Sequence, residues 1–199
     1  MGTLSETMEN KDMNNENPSV TEIDMLIPSL YRNVQDNDIP DCFDINQSFY
    51  LSGGVGTGKT HTLWAIFRHK YITAPLRGEF MIRDWRSIPD IINWTKQVKT
   101  YCNEEFKYKQ KIINDLCNNF RPLYIDDIGA EILSDTAEEF LYIIINSRTE
   151  NNLMTSFTAN KKLSELTYDI RIISRIAGIV NKNRLDYNGF SPNDKRIVK

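Results

Sequence analysis

Apolar residues along this chain come in short runs separated by longer amphipathic stretches. Phe49-Tyr50-Leu51, Leu123-Tyr124-Ile125 and Leu153–Thr158 are brief, β-prone runs, as expected of strands covered on both faces. Gly78–Asp84 and Val180–Leu185 read as two further strands. Between them the spacing becomes helical. Leu63, Trp64, Ile66 and Phe67 fall within a helix over 60–71, and two more helices are predicted over Ile88–Thr100 and Glu104–Asn118. Thr136–Thr149 is predicted to be helical with Phe140, Ile143, Ile144 and Ser147 on one side, and Leu163–Ile179 to form one long helix. Strands alternating with helices predict an α/β fold, a five-stranded parallel sheet flanked by helices. Ligand chemistry is then expected at the carboxyl ends of the strands.

The two ends of the chain differ from this middle. Residues 1–26 are rich in Asn, Glu, Met and Thr and are expected to form an unstructured acidic tail. Residues 27–47, with Pro28, Tyr31 and Pro40, read as a polar, extended strap that opens a domain covering 27–199. The net charge of −3 hides an asymmetry, −8 over residues 1–47 against +5 over 161–199. That split fits either different partners at the two ends or a solvated tail and a solvated helix face. No run is apolar and long enough for a membrane span, and the N-terminus lacks a signal-peptide core. Cys42, Cys102 and Cys117 show no C-x-x-C pairing, so reduced thiols and a cytoplasmic location are expected.

The chemistry begins between the first strand and the first helix. Gly53-Gly54-Val55-Gly56-Thr57-Gly58-Lys59-Thr60 matches G-x-x-x-x-G-K-[ST], the phosphate-binding loop. Its glycines let backbone N–H groups turn inward around a phosphate chain at a helix N-terminus. Lys59 can reach the β- and γ-phosphates, and the Thr60 hydroxyl can hold magnesium. Asp126 and Asp127 follow an apolar strand, placing one carboxylate for a magnesium shell and one to orient or deprotonate a water. Asn160 ends the next strand, where its amide can meet both the γ-phosphate and that water; a turn-forming Asn would look the same. Arg171 and Arg175 share a helix face and suit a neighbouring subunit's γ-phosphate, or a plain basic surface.

Several of these segments, taken in order, resemble a known family. They are Gly54–His61, Tyr-Ile-Asp-Asp-Ile-Gly over 124–129, Ile-Ile-Asn-Ser-Arg over 144–148, Thr-Ala-Asn over 158–160 and Arg-Ile-Ile-Ser-Arg over 171–175. Together they resemble the ATPase domain of bacterial replicative-helicase loaders of the DnaC/DnaI type, relatives of the initiator AAA+ ATPases. The IstB-type transposase helpers are similar. The resemblance covers roughly residues 27–199 and implies a P-loop AAA+ fold without a full helical lid. It implies ATP and Mg2+ as cofactors, with residues Gly53 to Thr60 and His61 around the nucleotide. Thr60 and Asp126 are implied at the metal, Asp127 as the catalytic carboxylate and Asn160 as sensor 1. Arg175 is implied as the arginine finger with Arg171 as the alternative, and Arg196 as sensor 2. A replicative helicase or a transposase is the implied partner, within an ATP-dependent homo-oligomer. Only 52 residues precede Gly53, where family loaders carry a separate helicase-binding domain, so helicase contact would fall to the acidic tail.

Lys96, Lys99, Lys107, Lys109 and Lys111 are interleaved with Trp94, Tyr101, Phe106 and Tyr108, a mixture suited to single-stranded DNA. Helical aromatics also build cores, and Glu104, Glu105 and Asp115 dilute the charge. A nucleotide-switched binding module with negligible turnover stays open as a different class of function. Guanine-specific switches carry N-K-x-D; Asn160-Lys161-Lys162-Leu163 and Asn181-Lys182-Asn183-Arg184 do not fit, which favours ATP.

Overall fold

Thr155–Ala159 (β4) is buried at all five positions, and Tyr50–Ser52 (β1) at all three. Such strands belong in the middle of a sheet with helices on both faces. The computed structural model, which describes residues 23, 25, 27–42, 44–73, 85–87, 111, 113–129 and 135–187, places them there. With β2 at Trp85–Ser87, β3 at Leu123–Ile128 and β5 at Arg184–Asp186, the parallel sheet runs in the order β2-β3-β4-β1-β5. The chain leaves β1 toward β2, past β4 and β3, but leaves β4 toward β5, past β1. Neighbouring strands that send the chain opposite ways open a crevice at their carboxyl ends, where ligands seat in open α/β sheets.

Alternation along the strands sorts the core into two faces. Leu51 and Tyr124 pack with Leu63 and Ile66 of α1, Lys59–Thr73. Tyr50, Ile125 and Phe157 point the other way, onto α2 (Asp135–Glu150) and α3 (Ile170–Val180). Among the described residues, no helix is long and apolar enough to cross a membrane.

The helix faces differ from expectation in two places. On α2 the buried positions are Leu141, Ile144, Ile145 and Arg148, while Ile143 is 40% exposed. The stripe is therefore rotated from the expected Phe140–Ile143–Ile144–Ser147 face. Arg148 causes the rotation, being 1% exposed with its guanidinium donating to Leu116 O, Asn119 O, Arg121 O, Met154 O and Thr155 Oγ1. It ties α2 to the two loops that enter β3 and β4. The expected single helix over Leu163–Ile179 is instead a 3-10 turn, Leu163–Glu165, followed by an extended stretch and then α3. Asp169 sets the new start, accepting the Arg171 N–H at 2.8 Å as an N-cap.

The strap is folded rather than extended. It carries 3-10 turns at Ser29–Tyr31 and Asp36–Asp38 and buries Ile27 and Val34 against Trp64, Ala65 and Phe67 of α1. Ile23, within the stretch read as acidic tail, is 1% exposed in the same cluster. Burying an aliphatic side chain of this size contributes about 1.5–3 kcal/mol. With the sheet on one side and the strap on the other, α1 is buried at every position from Thr62 to Phe67. The expected strand over 78–84, the helix over 88–100 and most of the lysine–aromatic segment lie outside the described residues. So do residues 1–22 and Arg196.

Candidate functional site: the crevice between β1 and β4

The loop after β1 is pinned before it turns. Gly53 N donates to Ala159 O at 3.2 Å, so the loop starts beside the end of β4. Gly53, Gly56 and Gly58 have φ of 152°, 82° and 98°, values that side chains rarely adopt. At Gly53 space also forbids one, since a Cβ would lie 2.7 Å from the Tyr187 Cβ. These conformations gather the loop amides at the N-terminus of α1, where partial positive charge favours an anion. Lys59 is 6% exposed, and its ammonium donates to Gly53 O (2.6 Å), Gly54 O (2.8 Å) and Asn160 Oδ1 (3.1 Å).

The opposite wall comes from a bulge. Pairing between β3 and β4 shifts between Ile125 and Ile128, and Asp127 adopts φ 61°. A non-glycine residue there is uncommon and signals a constraint imposed by its surroundings. Thr158 supplies it. The Thr158 hydroxyl accepts from Asp127 N at 2.9 Å and donates to Asp126 Oδ1, so one side chain sets both carboxylates. Asn160 Nδ2 donates to Asp127 Oδ1 at 2.8 Å, and the Thr60 hydroxyl lies 3.3 Å from Asp126 Oδ1. Burial pushes the Asp126 carboxyl above the ordinary aspartate range, against the pull of the Thr158 hydrogen bond. Behind the bulge, Gly129 (φ 81°) donates its N–H to the Tyr168 hydroxyl at 2.6 Å. Leu166 covers it so closely that a Cβ would lie 2.4 Å from Leu166 Cδ2.

These residues fit a magnesium nucleotide. A positively framed amide cradle with a buried lysine suits a phosphate chain. Thr60 and Asp126 form a pair of hard oxygen donors within 3.3 Å, the type magnesium takes when phosphate and water complete its shell. A cation would also relieve the cost of a buried carboxylate. The cleft, about 210 Å³, is lined by these groups and by Leu30 and Tyr31 of the strap. Tyr31 is held in place by stacking on Trp64 with ring centroids 6.2 Å apart.

Most sequence-derived site residues thus meet in one crevice, with three differences. His61 lines the cleft, but its Nε2 pairs with Asp38 of the strap at 3.1 Å. Val55 is 69% exposed at the loop tip, and Thr57 turns inward to Gly54 O at 2.9 Å. Arg171 and Arg175 do not line the cleft at all. They lie over the Tyr142 ring of α2, at 4.9 and 4.8 Å from its centre. Asp169 takes up Arg171 through Nε and Nη2, whereas Arg175 is held through Nε by Asn146 Oδ1. Among the described residues lining the cleft, Lys59 is the one lysine or arginine.

Sequence reading missed Thr158, Tyr187, Tyr168 and the strap wall. Thr158 belongs to the Thr-Ala-Asn segment over 158–160, but its composition suits a plain β-strand and gives no sign of its own role. Tyr187, whose hydroxyl donates to Thr62 Oγ1 at 2.8 Å, backs the loop from just past β5, far along the chain. Burial raises its phenol to about 12.

No protein-family model matches the sequence. Among solved structures the chain is similar to DnaI, with 21% identity, 88% of this chain and 100% of that one covered, and a TM-score of 0.56. It is similar to a candidate primosome component from Streptococcus pyogenes serotype M3, with 20% identity, coverage of 82% and 93%, and a TM-score of 0.55. It is also similar to the replication initiator DnaA bound to AMPPCP and single-stranded DNA, with 15% identity, coverage of 88% and 51%, and a TM-score of 0.55. This chain spans about half the length of the initiation-protein chains it matches, 42%, 44% and 51% of three of them. At such identities the likeness establishes that this chain has their α/β P-loop fold.

Proposed function

We propose that this chain is a magnesium-dependent ATPase of DNA replication that assembles with copies of itself and loads or remodels a ring helicase on single-stranded DNA. The supporting observation is one connected path. Lys59 hydrogen-bonds Asn160, and Asn160 hydrogen-bonds Asp127, beside the Thr60–Asp126 pair.

The chain's own groups divide the work. The loop amides and Lys59 bind the phosphates, and Thr60 with Asp126 would hold magnesium, which neutralises charge developing on the phosphates. Phosphate oxygens compete for Lys59 with its present acceptors, Gly53 O, Gly54 O and Asn160 Oδ1. As Lys59 leaves Asn160, Oδ1 is freed to accept from the attacking water, and the second Nδ2–H can donate to the γ-phosphate. Asp127, fixed by Thr158 and Asn160, accepts the proton of that water. Leu30 and Tyr31 give the cleft an apolar wall suited to a base.

The one group that the described residues of the cleft do not supply is a second side-chain cation for the transition state. Arg175 fits that role in trans. Its Nη2 makes no hydrogen bond among the described residues, whereas Asp169 occupies Arg171 on two nitrogens. Arg171 then serves as a buttress for the start of α3.

The test uses Asp127→Asn as bait, since it keeps the phosphate cradle while removing the proton acceptor. With ATP it should retain nucleotide and capture a replicative ring helicase from its source cell, and with ADP it should not. Capture of a transposase instead would move the chain to the helper class. Undiminished turnover by the variant would remove Asp127 from its role.

A further inference from the structure

The two arginines of α3 meet α2 in a matched arrangement. Arg171 and Arg175 are four residues apart, as are Tyr142 and Asn146, so each pair shares one face of its helix. The Tyr142 ring receives both guanidiniums, and Asn146 Oδ1 accepts from Arg175 Nε. The Asn146 amide is itself oriented, because its Nδ2 donates to Glu150 Oε1 at 3.0 Å. Two cations beside one ring would repel, but Asp169 neutralises Arg171 at 2.8 Å.

A free arginine side chain has many rotamers, and fixing them at the moment of reaction costs entropy. Here Nε, Nη1 and one π-face are already engaged, and Nη2 meets no partner among the described residues, which leaves it for a ligand. We propose that Tyr142 and Asn146 are positioning residues that pre-order Arg175 for the phosphates of a neighbouring copy of this chain. This rests on reading Arg175 as the trans arginine of the ATPase. A plainer role, in which the stack only packs α3 on α2, makes different predictions.

The experiment compares steady-state turnover and affinity for a fluorescent ATP analogue across variants of the full chain. Tyr142→Leu removes the aromatic face and should lower kcat about tenfold with affinity within about twofold of the parent. Tyr142→Phe keeps the face and should hold kcat within about twofold. In an Arg175→Ala background, Tyr142→Leu should cause no further loss. A separate readout is the Arg175 Nε–Hε resonance in 15N-labelled protein, which should be ring-shifted in the parent and lose that shift in Tyr142→Leu.

Several results overturn the proposal. They are an unmoved resonance, an unchanged kcat in Tyr142→Leu, equal losses of kcat and nucleotide affinity, or an equal loss in the Arg175→Ala background. If Tyr142→Leu fails to fold, Asn146→Leu at its half-exposed position carries the same test through Arg175 Nε. The underlying reading fails differently. A parent that binds but never hydrolyses ATP, or an Arg175→Ala variant as fast as the parent, removes the trans arginine itself.

Discussion

The crevice between β1 and β4 and the arginine face of α3 are built on opposite plans. In the crevice every polar group satisfies another: Lys59, Asn160, Asp127, Thr158, Asp126 and Thr60 form one hydrogen-bonded series. On α3 the groups are ordered but not closed, because Arg175 is held through Nε and Nη1 while Nη2 is open among the described residues. The difference teaches how the proposed activity would be divided. A closed network defines where phosphates and water go, while a held but open cation is useful to something outside the subunit. On the proposed reading, neither region completes a hydrolytic site alone.

The comparison can be broken most forcefully at Lys59. Lys59→Ala should weaken ATP affinity at least about 100-fold, because a buried charge-assisted partner of the phosphates is lost. Titration with a fluorescent analogue measures it, and parental affinity would mean that the crevice is not the nucleotide site. Thr158→Val is the sharper probe of closure. Losing the hydroxyl leaves Asp127 N and Asp126 without their shared partner, so kcat should fall roughly tenfold and stability by about 1–3 kcal/mol. ATP affinity should stay near the parental value. A kcat unchanged by Thr158→Val would show that the two carboxylates hold themselves in place.

The smallest effect belongs to the arginine face. The Arg171 guanidinium and backbone N–H beside Asp169 hold its carboxyl at about 2, below the usual value of 3.8. The sign follows from the lowered value: Asp169 stabilises the fold above pH 3.8 and loses that contribution as pH falls through about 2. Asp169→Asn should therefore melt slightly below the parent at pH 5, with the gap closing toward pH 2. Equal melting temperatures at pH 5 would remove Asp169 as a stabilising cap.

How much of this was legible in the chain depends on how local the cause is. The loop from Gly53 to Thr60 needs its own glycines and lysine and little else, so its chemistry reads directly. Asp126, Asp127 and Asn160 were legible because they end apolar strands, and strand ends are where an α/β sheet presents ligand chemistry. Thr158 was not, since its importance comes from β3 pairing alongside it and not from its own neighbours. Arg148 misled the assignment of the α2 face, because an arginine reads as solvent-facing until five acceptors from distant loops surround it. The strap looked extended for a related reason. Its Ile27 and Val34 are too sparse to show a period, and Trp64 and Phe67, which cover them, lie on another element. The break before α3 was hidden by apolar residues on both sides of Asp169.

The division between crevice and arginine is tested most directly by mixing two defective proteins. Arg175→Ala keeps the nucleotide crevice and lacks the cation, while Lys59→Ala keeps the cation and lacks the crevice. Each alone should be inactive. Mixed in equal amounts, they should recover about a quarter of parental turnover, the share of head-to-tail contacts that pair an intact crevice with an intact arginine. No recovered turnover at any mixing ratio would contradict an ATPase site shared between two copies of this chain.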